Sequence, residues 1–324
     1  MLVSILIPCY NAERWVAQAI ESALAQTWPN KEVIVVDDGS TDGSLIEIKK
    51  FDGCIRWETG PNRGGNVARN RLLELSNGEW LQYLDADDYL LPEKVADQMT
   101  FLAAGASADV IFGPVVIEQS LQSGVRQRRL AIPEPHDVWV LLARWYLPQT
   151  GASLWSKRAL LDVGAWKADQ PCCQEHELYL RLLMQGKRFA FCDSSGAVYR
   201  EWSKHTVCRR NQPETHRRRL QIEATAERFL FERNEMNDER LSAINQARFE
   251  IARMAWQYDA SFSVEITKTI LSSQPHFTPV GDAAPSHYRL IYRLFGFRSA
   301  QRLASAKRAL VGGRRAWAIP QSCR

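Results

Sequence analysis

The chain has 324 residues, 45% apolar and 24% charged, and a formal net charge of +4. Such a length and apolar fraction exclude a disordered segment or a disulfide-stapled mini-protein, and suit one large domain with a smaller appendage. The charge is uneven: Arg289 to Arg324 holds nine Lys or Arg and no carboxylate, leaving 32 basic and 37 acidic residues elsewhere, so the expected partner of the tail is an anionic surface and not nucleic acid.

The N-terminal "MLVSILIPCYN" lacks a basic leader and its apolar run is only strand-length, which argues against a signal peptide. Nothing approaches the roughly 18 uninterrupted apolar residues of a membrane span. The seven cysteines are odd in number and irregularly spaced, without a CxxC. Reduced thiols in a reducing, cytoplasmic compartment are the expectation.

Strand and helix signals alternate through the first hundred residues. "VSILIP" reads as a strand, Glu13 to Ala25 as a helix, "EVIVVDDG" as a buried strand, and Thr41 to Lys50 as a helix. A weak strand at Ile55 to Trp57 precedes "GPNRGGNVARNRLLELSNG", a glycine-rich loop entering a helix; "EWLQYL" is the next strand, and Pro92 opens another helix. The rhythm predicts an α/β, doubly wound, mostly parallel sheet whose apolar strands lie under helices on both faces. Ligands in such sheets sit at the carboxyl ends of the strands. Polar clusters collect there: "PCYN", then Asp37-Asp38-Gly39-Ser40, then Asp85-Ala86-Asp87-Asp88.

Beyond Phe112 the pattern loosens. Gly151 to Trp155 reads as a strand, Lys157 to Val163 as a short helix, and "CCQEHELYLRLLMQGKRFAF" as a helix followed by a strand. Glu214 to Tyr258 is helical and charged, Pro275 to Pro285 resembles a linker, and Tyr288 to Leu310 is helical with a break at Gly296. The expected division is a catalytic domain over 1–210 and a helical C-terminal extension over 211–324.

Three carboxylates in four positions, Asp85, Asp87 and Asp88, repel one another unless a cation sits among them. If the strand continues through them, Asp85 and Asp87 point the same way, as oxygen ligands of Mg²⁺ or Mn²⁺ would. The structural alternative is a turn that caps the next helix, which one aspartate would satisfy. Asp37 and Asp38 are placed to accept from ribose hydroxyls or a base N–H, or else to cap the following helix. Gly64 and Gly65, flanked by Arg63 and Arg69, place backbone N–H groups at a helix start where phosphate is welcome. No Walker loop and no GxGxxG occurs, which excludes those nucleotide sites. His176-Glu177 begins a zinc-protease pattern that fails at Leu180. Glu175 sits at a helix start, where complementing the helix dipole is its ordinary role. Of the remaining histidines, His205 is the one near other candidate residues and is the candidate for touching metal or phosphate. Trp155, Trp166 and Trp202 flank this second cluster, where aromatic faces either line a sugar site or pack the core.

In combination, "SILIPCYNAERWVAQAIESALAQTWPNKEVIVVDDGSTD", "NRGGNVARN" and "LDADD" resemble family 2 glycosyltransferases of the GT-A fold across residues 3 to about 90. The resemblance implies transfer of a sugar from a nucleotide-diphosphate donor to an acceptor hydroxyl, with inversion and a divalent metal, Mn²⁺ or Mg²⁺. Pro8, Tyr10, Asp38 and Arg69 fall on the donor-nucleotide positions. Asp85 and Asp87 match the DxD motif, Asp87 as metal ligand and Asp85 nearer the ribose. Gln174-Glu175 falls where the family has its acidic pair before a "LWLRL"-like helix, making Glu175 the implied base. The pattern departs at Gln174, and again at Trp202, where many members place a histidine after the Tyr-Arg pair. A glycan or lipid-linked acceptor is implied, and a basic, apolar tail over 288–315 that can lie on an anionic membrane. The alternatives are a non-catalytic nucleotide-sugar or glycan binder, a membrane-docked assembly subunit, and a sugar nucleotidyltransferase. The last lacks its lysine-bearing phosphate loop in "PCYNAERW".

Overall fold

The computed structural model describes residues 1–121, 124–134, 137–202 and 211–310. The chain forms two compact units, one from 1–136 with 147–206 and the other from 137–146 with 207–324.

The first unit is built on a seven-stranded sheet in the order β10-β6-β9-β4-β1-β2-β3. β1 (Val3–Cys9), β2 (Lys31–Asp37), β3 (Arg56–Thr59) and β4 (Trp80–Tyr83) are mutually parallel, Cys9 lying opposite Asp37 and Asp37 opposite Thr59. Val, Ile and Leu fill β1 and β2 and leave Ile5, Leu6, Ile7, Ile34 and Val35 fully buried, as a strand covered on both faces requires. Each crossover is a helix: α1 (Val16–Leu24), α2 (Ser44–Lys49) and α3 (Gly65–Leu75). β6 (Val110–Phe112) and β10 (Phe189–Phe191) extend the sheet, with β9 (Leu154–Ser156) inserted antiparallel between β6 and β4. The sheet is therefore mixed at one flank and parallel where the polar clusters converge.

A second, four-stranded sheet has the order β5-β11-β7-β8, from β5 (Tyr89–Leu90), β7 (Val115–Leu121), β8 (Gly124–Leu130) and β11 (Ala197–Glu201). The sequence does not announce it. β8 reads "GVRQRRL" and lies at the sheet's edge, where a charged strand resists pairing with other chains. This unit also contains α4 (Lys94–Ala103), α6 (Lys157–Asp162) and α7 (Gln174–Met184).

The second unit is helical. Helix Asp238–Ala255 packs against Val138–Ala143 (α5), Gln212–Glu232 and Ala260–Ser273. The Pro275 to Pro285 stretch is more than a linker, because Phe277, Ala283 and Ala284 enter this core beside Phe249 and Tyr288. Ion pairs are buried here as well: Arg144 to Glu250 at 2.9 Å and Arg248 to Glu227 at 2.6 Å. Glu223 lies among them, 1% exposed, with no hydrogen-bond partner for either carboxylate oxygen among the described residues.

Burial pushes the Glu223 carboxyl up to about 8, against the pull of Arg219 and Arg248. An exposed glutamate titrates near 4.3, so the folded state holds this proton longer than the unfolded one. The contribution of this group to stability must then fall as pH rises from about 4 to about 8 and level off above. Urea midpoints of wild type and Glu223→Gln should diverge with rising pH, the variant becoming the more stable. Parallel curves would contradict a buried acid.

Candidate active site

The polar residues at the carboxyl edge of β1, β2 and β4 meet those of α7. β4 stops at Tyr83, so Asp85 and Asp87 do not continue a strand; residues 85–88 form a turn closed by the Asp88 N–H to the Asp85 carbonyl at 3.0 Å. Part of the positive charge beside the crowded carboxylates is supplied by the protein itself. Arg69, on α3 and 7% exposed, donates through Nη2 to Asp85 Oδ1 at 2.8 Å. Arg200, on β11 and 6% exposed, donates its backbone N–H to Asp88 Oδ1 at 2.9 Å and Nη1 to the Asp87 carbonyl at 3.0 Å. Arg200 is held by Glu118 of β7 at 3.2 Å and by Gln18 of α1 at 2.5 Å, and stands over the Tyr89 and Trp15 rings. Sequence reasoning passed over Arg200 as a structural residue; the "YR" pair is its only local sign.

Burial, and then the Asp85 charge, push the Asp87 carboxyl above the usual carboxylate range; burial and the neighbouring Asp87 push Asp88 up much further. Arg69 stays charged: burial alone would lower its pKa, but Asp85 and Glu175 together outweigh that and raise it. The guanidinium also lies 5.0 Å from the Trp166 ring centroid. Asn66 and Asn70, three residues before and one after Arg69 on α3, bind the backbone of Lys167, Gln170 and Trp166. Asn66, Arg69 and Asn70 thus share one helix face that grips both the acidic turn and the 166–170 loop leading to α7.

Glu175 lies in the first turn of α7, after Cys173 in the left-handed conformation (φ 59°). Its Oε1 accepts from Thr150 Oγ1 at 2.6 Å, and Thr150 is fully buried. Sequence reasoning missed Thr150, which lies 25 residues away on a short 3₁₀ turn. Below them Trp155 stacks on Tyr179 at 5.0 Å and meets Trp166 edge-on at 6.1 Å, so Trp155 and Trp166 belong to the core. Trp202 does not: it is 52% exposed, tilts against Trp15, and donates Nε1–H to Asp87 Oδ2 at 2.9 Å.

The donor-side candidates divide. Tyr10 stands half exposed just past β1, and Pro8 lies opposite Val36 near the strand's end. Asp37 accepts from Thr59 Oγ1 at 2.6 Å and Ser40 N–H at 3.3 Å, and is 1% exposed. Asp38 accepts from the Arg63 and Gly64 N–H groups, both at 2.8 Å, so its carboxylate orders the glycine-rich loop. Gly39 (φ 73°) lies so close to that loop that a Cβ would come 2.6 Å from the Asn62 nitrogen. His205 lies outside the described residues.

The donor set suits a hard divalent cation, which takes one or two carboxylates and completes its shell with water and phosphate oxygens. Asp87 and Asp85 provide such a pair. No group of three or more His, Cys, Asp or Glu side chains converges among the described residues.

Residues 4–160 match the sequence model of glycosyl transferase family 2. Among curated relatives, an Escherichia coli protein named UDP-Glc:alpha-D-GlcNAc-diphosphoundecaprenol beta-1,3-glucosyltransferase WfaP is 37% identical over 105 residues, 31% of this chain and 41% of that protein. The chain spans 15% to 42% of the length of the curated relatives it matches. Among solved structures, S. aureus TarS 1–349 in complex with UDP-GlcNAc aligns with a TM-score of 0.61 at 15% identity, over 95% of this chain and 92% of that one. The mannosyltransferase PcManGT from Pyrobaculum calidifontis, in complex with GDP-Man and Mn²⁺, aligns at 0.52 and 16% identity, over 96% and 88%. At these identities the likeness is one of fold, the GT-A type.

Because Arg69 reaches Asn66 and Asp85 with separate nitrogens, a lysine cannot replace its fork. Arg69→Lys should lower stability by about 1–3 kcal/mol, the cost of leaving buried polar groups unpaired. Urea denaturation measures it, and an unchanged midpoint would contradict the tie.

Proposed function

We propose, from the match of residues 4–160 to the glycosyl transferase family 2 model, that the protein is an inverting glycosyltransferase that moves a sugar from a nucleotide-diphosphate donor to an acceptor hydroxyl in cell-surface polysaccharide or glycolipid synthesis. The observation that carries the reading is one buried guanidinium, Arg69, bonded to Asp85 of the acidic turn and kept charged by Asp85 and Glu175 together. A leaving group recognised at the turn and a proton acceptor at α7 would then act across one crevice.

Glu175 takes the proton of the acceptor hydroxyl as its oxygen attacks the anomeric carbon. Attack comes from the face opposite the departing diphosphate, so the configuration inverts. Thr150 holds the Glu175 carboxylate through Oε1, fixing its direction before the acceptor arrives. The backbone amides that open α3 face the phosphates, with Asp38 holding their loop in shape. Asp87 and Asp85 would hold Mn²⁺ or Mg²⁺. When bound, that cation supplies charge neutralisation for the departing diphosphate. Pro8, Tyr10 and Asp37 are assigned to the nucleotide side. A UDP-sugar is the first donor to try, because WfaP is named for UDP-Glc and TarS was solved with UDP-GlcNAc. The acceptor is assigned to the glycan or lipid-linked class, and the working compartment to the cytoplasm.

The test is release of nucleoside diphosphate from a panel of UDP-, GDP- and dTDP-sugars, with and without Mn²⁺ or Mg²⁺, alongside calorimetry of donor binding. Asp87→Ala should lose metal-dependent donor binding. Glu175→Gln should keep donor binding and lose turnover by about 10²- to 10⁴-fold, the span of general-base catalysis. Failure of every donor to bind with metal present would sink the reading.

A further inference from the structure

The helix Ser286–Leu310 is broken at Gly296, whose φ of 74° and ψ of 178° no other residue type adopts without strain. One side of both halves belongs to the core of the second unit. Tyr288 and Phe297 pack on Phe249, with centroids 6.0 and 6.1 Å away, and Trp256 meets Phe297 at 5.9 Å. Ala300 and Gln301 are buried beside them, Gln301 Oε1 accepting from Arg253 Nε at 3.3 Å.

The exposed side chains of the helix have a composition that core packing does not explain. Leu290, Leu294, Phe295 and Leu303 are 60%, 63%, 68% and 53% exposed. Arg293, Arg298, Arg302 and Lys307 are exposed among them, and no Asp or Glu occurs between 286 and 310. At helical spacing Leu290, Arg293 and Leu294 share one face before the break, and Arg298 and Arg302 share one after it, with Phe295 and Leu303 exposed beside them. An ordinary solvated helix face carries charges of both signs and few large apolar groups; this one carries a single sign and keeps its apolar groups in water.

We infer that this face of the C-terminal helix docks the protein on an anionic lipid bilayer, Leu290, Leu294, Phe295 and Leu303 entering the acyl boundary while the arginines and Lys307 meet lipid phosphates. A bilayer supplies an anionic plane and an apolar interior in one partner, matching both halves of the composition. A second copy would set this basic face against itself. Residues 311–324 bring three more arginines and no carboxylate, so they offer no counter-charge either. The inference stands on the second unit alone and does not need the transferase reading, although an enzyme extending a lipid-carried acceptor would profit from it.

The experiment is flotation of the full-length protein with phosphatidylcholine vesicles, with and without phosphatidylglycerol, at low and high salt, in the absence of any sugar nucleotide. Binding should require phosphatidylglycerol and weaken with salt. Leu294→Glu combined with Phe295→Glu should abolish it, and Arg293→Ala with Arg298→Ala and Arg302→Ala should reduce it by about tenfold or more, each arginine adding to lipid attraction. All five positions are exposed, so circular dichroism should show the helices unchanged. Absence of flotation, equal flotation with neutral vesicles, or equal flotation of the glutamate variant would overturn the inference. So would a dimer in sedimentation velocity that the glutamate variant dissociates, because the face would then belong to a second copy. Since no donor is present, a failed transferase assay and a failed flotation remain separate results.

Discussion

The burial of an acidic turn between two arginines is the constraint on which the first unit is arranged. Asp85, Asp87 and Asp88 lie within four residues, and burial pushes the Asp87 and Asp88 carboxyls above the usual carboxylate range. Arg69 pairs with the Asp85 carboxylate, while Arg200 gives its backbone N–H to Asp88 and its guanidinium to the Asp87 carbonyl. The arginines come from different layers, α3 beneath the parallel sheet and β11 in the small sheet. The small sheet therefore does more than extend the fold: it brings the second guanidinium, braced by Glu118 and Tyr89 from its own strands.

The same side chains carry the constraint outward. Arg69 is drawn toward both Asp85 and Glu175, and its neighbours Asn66 and Asn70 fasten the 166–170 loop that ends at α7. The position of the candidate base is thus set from α3, more than a hundred residues earlier in the chain. On the other side, Trp202 already donates to Asp87, so that carboxylate has a neutral donor as well as nearby cations. The turn is polar without being unpaired, a condition under which a charged ligand can be exchanged in without first building its site.

The second unit handles charge differently. Its central helix, Asp238–Ala255, buries Arg248, Glu250 and Arg253 along with Phe249 and Ile251. Buried pairs such as Arg144–Glu250 give modest net stability for their desolvation cost, but they penalise any register that separates them. Helices whose overall composition is polar can in this way pack uniquely. The last helix closes this core with one side and leaves a basic, apolar side outward, so the division of labour within it is set by packing.

Local pattern determined the parallel half of the molecule. "VSILIP" and "EVIVVDDG" are apolar strands, glycines precede α3, and polar residues stand at each strand exit, because backbone preference and the period of burial are properties of neighbouring residues. The family resemblance was legible for the same reason, because it is carried by short, ordered strings; the DxD pair and Glu175 stand as candidates read from the same strings. Tertiary structure alone decided the rest. β9 enters antiparallel between β4 and β6, and β8 is a strand despite three arginines, because pairing depends on partners distant in the chain. Arg200 and Thr150 gained their places through contacts 113 and 25 residues away. Val138–Ala143 joins the helical unit across more than sixty intervening residues, where hydrophobic period says that a helix exists and cannot say which core it enters. Trp155, Trp166 and Trp202 are alike in sequence and unlike in structure, two in the core and one exposed, because burial is fixed by what packs around a residue and not by the residue.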